Sequence, residues 1–458
     1  MSQTNLPEGP SIHGIWATRW VFIMATAGSA IGLGNIWKFP YITGVYGGGA
    51  FVATYILCVL LIGMPIMVAE IMMGRRGRAA PINAMQRLVA ESGLSRRWGL
   101  LGWMGTLAGF LILSFYSMIA GWALYYIVLM AKGTFAAANA DAVKASFDGL
   151  LADPYTMLAW HSVFMAMTIY VVARGVQNGL ERAVRWMMPA LFLLLFGLVG
   201  YAMTTGHFMD GVRFMFDFDF SKLTGQGVIV AMGHAFFTLS LGMGAIMAYG
   251  AYMPHKQSIG QAVVAVAGMN TVFAILMGLA IFPIVFANGL ATDQGPGMMF
   301  LTLPLAFSGL PMGDVVGTAF FVLVAIAAWT SSISIAEPFV AWAVERGMHR
   351  LTAASIIGIA SWFIGIFSIL SFNWMAGDEF KLFGKTFFDG IDFLTTSIML
   401  PLGGLLIAIF AGWKMKETKV MKELEMKSQA FYIVWRIAVR IVAPLGILLV
   451  LLNFLGIV

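Results

Sequence analysis

Residues 28–35 read "GSAIGLGN": three glycines, a serine and an asparagine at the centre of an apolar stretch from Trp20 to Tyr46. Such residues are poor helix formers, and a helix that breaks in lipid frees carbonyl and N–H groups that lipid cannot satisfy. A bound ligand can satisfy them. Stray carbonyls and hydroxyls suit a small hard cation such as Na⁺, and the N-terminus of a half-helix favours a carboxylate. A second interruption, "TLSLGMGA" at residues 238–245, lies inside the apolar segment "AFFTLSLGMGAIMAYGAY". Close helix packing through small residues would explain either segment alone. Two interrupted segments in matching positions of two halves point instead to a transporter's binding site.

The elements that must position these residues are membrane spans. The chain has 458 residues, of which 60% are hydrophobic and 10% charged, with a mean hydropathy of +0.87. Eleven apolar runs are each long enough to cross the hydrocarbon core, near 17–45, 48–74, 98–131, 156–173, 183–204, 228–252, 259–288, 313–346, 352–371, 388–413 and 431–456. The interruptions fall in runs one and six. Five spans is an odd number, so the second half enters the membrane inverted relative to the first. The fold expected is all-α integral membrane, a 5+5 inverted repeat with discontinuous spans one and six plus an eleventh helix. It forms a single transporter domain over 1–458, with repeat one at about 16–204, repeat two at about 228–415 and span eleven at about 431–456.

Charge sets the orientation. The loop after span two carries Arg75, Arg76, Arg78, Arg87, Arg96 and Arg97, and "ARGVQNGLERAVR", "ERGMHR" and "GWKMKETKVMKELEMK" are also basic. The alternate loops lean acidic. The expectation is a multi-pass protein of the cell inner membrane, with its N-terminus cytoplasmic and its C-terminus outside. The net charge of +6 reports that topology, and nothing suggests nucleic-acid binding. The first fourteen residues lack the basic-then-apolar pattern of a cleavable signal peptide. Cys58, the only cysteine, excludes an intrachain disulfide. There is no phosphate loop, nucleophile–base pair or metal-ligand cluster, which argues against ATP coupling and against an enzyme.

"WATRWVFIMATAGSAIGLGNIWKFPYITGVYGGGAF", "FFTLSLGMGAI" and "TSSISIAEPFVAW" closely resemble the first, sixth and eighth spans of the neurotransmitter:sodium symporter family. The likeness extends over nearly the whole chain, and eleven spans resemble a bacterial subgroup that includes amino-acid transporters similar to the leucine transporter. The resemblance implies that one Na⁺ is held by the carbonyl of Ala30, by Asn35, Thr238 and Asn270, and by the substrate's own carboxylate. A second Na⁺ would take the carbonyls of Gly28, Ile31 and Ala327 and the hydroxyls of Thr330 and Ser331. All these ligands are neutral oxygens, as suits a monovalent ion that must later leave. The implied substrate pocket comprises Ser29, Ala30, Leu33, Gly34, Ile112, Tyr116, Phe237, Thr238, Ser240, Met243, Ser331 and Ile335, with the Tyr116 hydroxyl on the substrate carboxylate.

Gly32 occupies the position at which the family's monoamine carriers place an aspartate, so the implied substrate is an α-amino acid. The pocket is apolar and disfavours a charged side chain. Met243, where the leucine transporter has phenylalanine, is unbranched and adaptable, and suits a bulky or aromatic substrate side chain. The family's outer gate is an arginine–carboxylate pair. Here it becomes Lys38 with Asp392, and lysine cannot make the bidentate pair. The inner gate becomes His13 with Glu345, near Tyr252, with Arg19 as the alternative base. Span seven has Ala274 where relatives carry a serine or a glutamate. That leaves Tyr55, His234 and Asn270 as a candidate site for chloride or for proton movement. Glu70 and Glu337, inside spans, match interior-network positions.

The function implied is sodium-coupled symport, importing hydrophobic L-amino acids by alternating access, with Na⁺ as the coupling ion and chloride as a candidate second one. The partners are the amino acid and the lipid bilayer. Two alternatives stand beside it: a sodium-independent or proton-coupled exchanger of the same fold, and an amino-acid receptor that does not transport.

Overall fold

The computed structural model describes residues 13–136, 138–290, 298–425 and 428–457. Residues 1–12, on which the reading against a signal peptide mostly rests, lie outside the described residues. Among the described residues, nine continuous apolar stretches are long enough to cross a membrane: Gly49–Gly77, Arg96–Ala131, Pro154–Ala173, Val176–Thr205, Ile259–Ala287, Gly313–Glu345, Arg350–Leu370, Phe387–Lys414 and Gln429–Phe454. They are spans two to five and seven to eleven. Span one is a bent pair, Arg19–Ala30 and Gly34–Val45, with 59° between the halves. Span six is Gly225–Thr238 followed by Ala245–Ala251. Outside the helices, the described residues form one isolated bridge, Leu382 to Lys385.

Local chemistry starts these helices where the sequence changes from polar to apolar. Thr18 accepts a hydrogen bond from Val21 N (3.2 Å) at the start of span one. Asp153 accepts from Tyr155 N (3.0 Å) ahead of span four. Thr224 accepts from Gly227 N (3.0 Å) at the start of span six. Each cap answers one of the N–H groups that a helix start leaves unpaired.

The spans pack as two groups. Spans three, four, eight and nine lie against one another, with span eight running along span three. The second half of span six lies on span two, and the first half of span one lies on span seven. The contact between spans two and six is backbone on backbone. A Cβ built at Gly74 would sit 1.9 Å from the carbonyl of Met247, and one at Gly250 would sit 2.7 Å from that of Ile71.

Gly74→Val therefore forces the two helices apart. It should destabilise the detergent-solubilised protein by about 1–3 kcal/mol or abolish its folding. Gly268→Ala in span seven, where a Cβ meets nothing within 4 Å, should leave the melting temperature within a degree or two. Equal melting of the two variants would refute this packing.

Candidate functional site

The break in span one begins at Ile31, which leaves the helix with φ −79° and ψ 101° while its N–H still bonds the Ala27 carbonyl at 2.7 Å. The carbonyls of Gly28, Ser29 and Ala30 are thereby left without helical partners. The chain re-enters a helix through a π-type turn over Gly34–Lys38. In span six the break passes through Ser240, Gly242 and Gly244, all at positive φ (55°, 82° and 77°). A Cβ at Gly242 would meet the Leu400 carbonyl at 2.5 Å, so close approach as well as backbone conformation calls for glycine there.

Oxygen-bearing side chains meet the freed groups. Ser240 Oγ donates to the Ser29 carbonyl at 2.7 Å. The Ser331 hydroxyl, from span eight, faces the carbonyls of Gly28 (3.3 Å), Ser29 (3.3 Å) and Ile31 (3.2 Å). One hydroxyl proton cannot serve three acceptors at once, so this cluster holds more lone pairs than donors. Thr330 lies against Gly28 and donates to the Ala327 carbonyl at 3.0 Å. The five residues expected around one Na⁺ therefore converge, and their donor set of neutral oxygens fits such an ion.

The other expected ion site is also gathered. Asn35 Nδ2 donates to Asn270 Oδ1 at 2.9 Å, and Thr238 Oγ1 donates to Asn35 Oδ1 at 2.8 Å and lies 3.3 Å from Asn270 Oδ1. These side chains come from spans one, seven and six. Ala30 ends the first half-helix, and the Gly32–Asn35 turn after it is closed by Asn35 N on the Gly32 carbonyl (3.1 Å).

Beside these clusters lie the residues expected to line the substrate pocket. The Tyr116 hydroxyl accepts from Leu33 N at 3.3 Å. A Cβ at Gly32 would fall 2.7 Å from Ser331 Oγ and 3.0 Å from the Tyr116 hydroxyl, and one at Gly34 would fall 3.1 Å from the Phe237 ring. Any side chain at Gly32 thus competes with Tyr116 and Ser331. Ser29 Oγ donates to Ser334 Oγ at 2.7 Å. Ile112, Met243 and Ile335 are buried, and a Cβ at Gly109, one turn before Ile112, would face the Met243 carbonyl and Ile335 Cγ2.

At the end of the bundle that carries the basic loops, His13 Nε2 lies 3.1 Å from Glu345 Oε1, and its ring is 5.6 Å from that of Tyr252. Glu345 also accepts from Ala80 N at 2.7 Å. Trp16 ties span one to span six, its N–H to the Tyr252 carbonyl (3.1 Å) and its indole to the Tyr249 carbonyl (3.2 Å). The Tyr252 hydroxyl donates to Glu337 (2.8 Å), whose carboxylate is also paired with Arg350.

At the opposite end the expected pair of Lys38 with Asp392 is not formed. Lys38 and Asp392 line one cavity of 220 Å³, yet the Lys38 ammonium sits over the Phe237 ring, 5.0 Å from its centroid. Among the described residues no ion pair within 4.0 Å joins them. A lysine has only a point charge to offer, and the adjacent π face accepts it.

At the candidate chloride or proton site, Asn270 Nδ2 donates to the Tyr55 hydroxyl at 3.1 Å. His234 does not bond Tyr55. It packs against the rings of Tyr55 (5.4 Å) and Phe39 (5.9 Å), and neither ring nitrogen has a partner among the described residues.

Sequence reasoning missed two partners. Glu70 Oε1 accepts from Gly242 N at 2.5 Å, so this carboxyl answers an amide freed by the second break. Arg350 read only as a loop charge, although it stands at the start of span nine and holds Glu337. A buried acid within a span is itself a signal that a partner is near.

The family model described as the sodium:neurotransmitter symporter family matches residues 13–143 and 134–457. YhdH of Bacillus subtilis (strain 168), described as an uncharacterized sodium-dependent transporter, is 40% identical over 448 residues, 96% of this chain and 98% of its own. A similarly described protein of Haemophilus influenzae is 32% identical over 448 residues, 96% and 97% of the two chains. Among solved structures, that of MhsT in complex with L-phenylalanine has a TM-score of 0.87 and 40% identity, covering 97% of this chain and all of that one. The expected discontinuous-span fold and the absence of enzymatic function are thereby borne out. The chain belongs to the sodium:neurotransmitter symporter family and is a multi-pass, sodium-dependent membrane transporter.

Proposed function

We propose that this transporter imports hydrophobic L-amino acids together with Na⁺ by alternating access. The observation that carries the reading is the Asn35–Thr238–Asn270 cluster, drawn from three spans and set beside the bare Gly32–Gly34 backbone and the Tyr116 hydroxyl. One Na⁺ sits among Ala30, Asn35, Thr238 and Asn270 and takes the substrate carboxylate as its last ligand. The other sits among Gly28, Ile31, Ala327, Thr330 and Ser331. The MhsT complex with L-phenylalanine and the buried apolar trio Ile112, Met243 and Ile335 support a hydrophobic side chain.

The group of spans one, two, six and seven rocks against spans three, four, eight and nine. His13–Glu345 closes the inner side, and Lys38 swings from the Phe237 ring to Asp392 to close the outer one. Tyr55, His234 and Asn270 are the place for chloride or a proton. The basic loops lie in the cytoplasm.

Uptake of radiolabelled leucine, phenylalanine and tryptophan into proteoliposomes tests this. Accumulation should require an inward Na⁺ gradient and vanish in choline. Uptake indifferent to sodium would overturn both ion assignments.

Asn35→Ala and Ser331→Ala each remove one oxygen from a different ion. Each should raise the Na⁺ concentration for half-maximal uptake by about tenfold or more, equivalent to about 1.4 kcal/mol. An unchanged Na⁺ dependence in either variant removes that site.

Met243→Phe narrows the pocket. It should lower the ratio of tryptophan to leucine uptake, as Vmax/KM, by about tenfold. A constant ratio would mean that Met243 does not face the substrate.

A further inference from the structure

A groove of 920 Å³ opens where spans one, two, seven and eleven meet, at the end of the bundle that carries the basic loops. Its wall is apolar and turned outward. Leu61, Val264, Phe431 and Val434 are 51%, 60%, 72% and 64% exposed. The Trp435 indole, also lining it, donates to the Pro65 carbonyl at 3.0 Å and so fixes span eleven against span two.

The rim is polar and of mixed charge. Arg19, at the start of span one, and Lys256, in the turn after span six, are exposed and form no ion pair among the described residues. Arg75 is already paired with Glu423 at 2.6 Å. Glu425 contributes one carboxylate, so two free cations face one anion. The first turn of span seven, through Ser258, Gly260 and Gln261, also opens on the rim and presents the positive end of a 29-residue helix. The buried side-chain oxygen of Gln257, on the same rim, has no hydrogen-bond partner among the described residues, which suits a hydroxylated headgroup.

We propose that this groove binds an anionic phospholipid, with its phosphate at Arg19 and Lys256 and an acyl chain along the wall of spans two, seven and eleven. An apolar channel at the depth of the spans, ending in unpaired cations at their basic end, matches the two halves of such a molecule. The groove faces the cytoplasmic leaflet if the orientation proposed above holds. Only that choice of leaflet rests on it, because binding in micelles does not depend on orientation.

Native mass spectrometry of the full chain in detergent tests the proposal, with phosphatidylglycerol and phosphatidylcholine of identical acyl chains. The protein should retain one phosphatidylglycerol at lower lipid concentration than phosphatidylcholine. Arg19→Gln with Lys256→Gln should cut that preference by about tenfold or more. Val264→Trp, which fills the apolar wall and keeps both cations, should reduce retention of either lipid. Equal retention of the two lipids, or a preference untouched by the charge substitutions, would overturn the proposal. Displacement by glycerol phosphate as readily as by lipid would show a plain phosphate site. A dimer mass lost in Val264→Trp would show that a second copy fills the groove, and either result also defeats it.

Discussion

The carbonyl and amide groups released at the two helix breaks are the constraint on which the rest of the architecture depends. They are buried inside the bundle, where an unmet polar group costs more than most single contacts return. Each therefore fixes a neighbour. Ser331 brings span eight to the carbonyls of Gly28, Ser29 and Ile31. Ser240 brings span six to Ser29, and Glu70 brings span two to the amide of Gly242. Even so, the carbonyl cluster at Ser331 has more acceptors than donors, and that imbalance is the reason a cation site is proposed at the break.

In the proposed function, the same geometry makes ion and substrate depend on each other. Asn35, Thr238 and Asn270 hold one another by side-chain hydrogen bonds across spans one, six and seven. A cation seated among them replaces those bonds with its own coordination, and a carboxylate completes the shell beside the Tyr116 hydroxyl. Neither guest finds the full set of partners alone. A shared ligand of this kind produces reciprocal coupling, typically of 1–3 kcal/mol.

Much of this was legible in the sequence, because glycine, serine and asparagine in the middle of an apolar run have few structural excuses. The two breaks, the eleven spans and the pairing of spans one and six follow from residue type and period alone. What was not legible depends on neighbours hundreds of positions away. Glu70 was recognisable as a buried acid, but nothing local says that its partner is the amide of Gly242. Lys38 was recognisable as a charge within a span, but its resting place on the Phe237 ring follows from how two half-helices face each other. Arg350 looked like one more positive loop charge until its contact with Glu337 placed it in one network with Tyr252.

The most direct test of the central claim is calorimetric titration of L-phenylalanine into the purified transporter in Na⁺ and in K⁺ at equal ionic strength. Shared coordination predicts at least about tenfold tighter binding in Na⁺, with an equal gain in Na⁺ affinity when the amino acid is present. Equal affinity in the two salts would mean that the cluster at the helix breaks does not join ion to substrate, and the account would fail there.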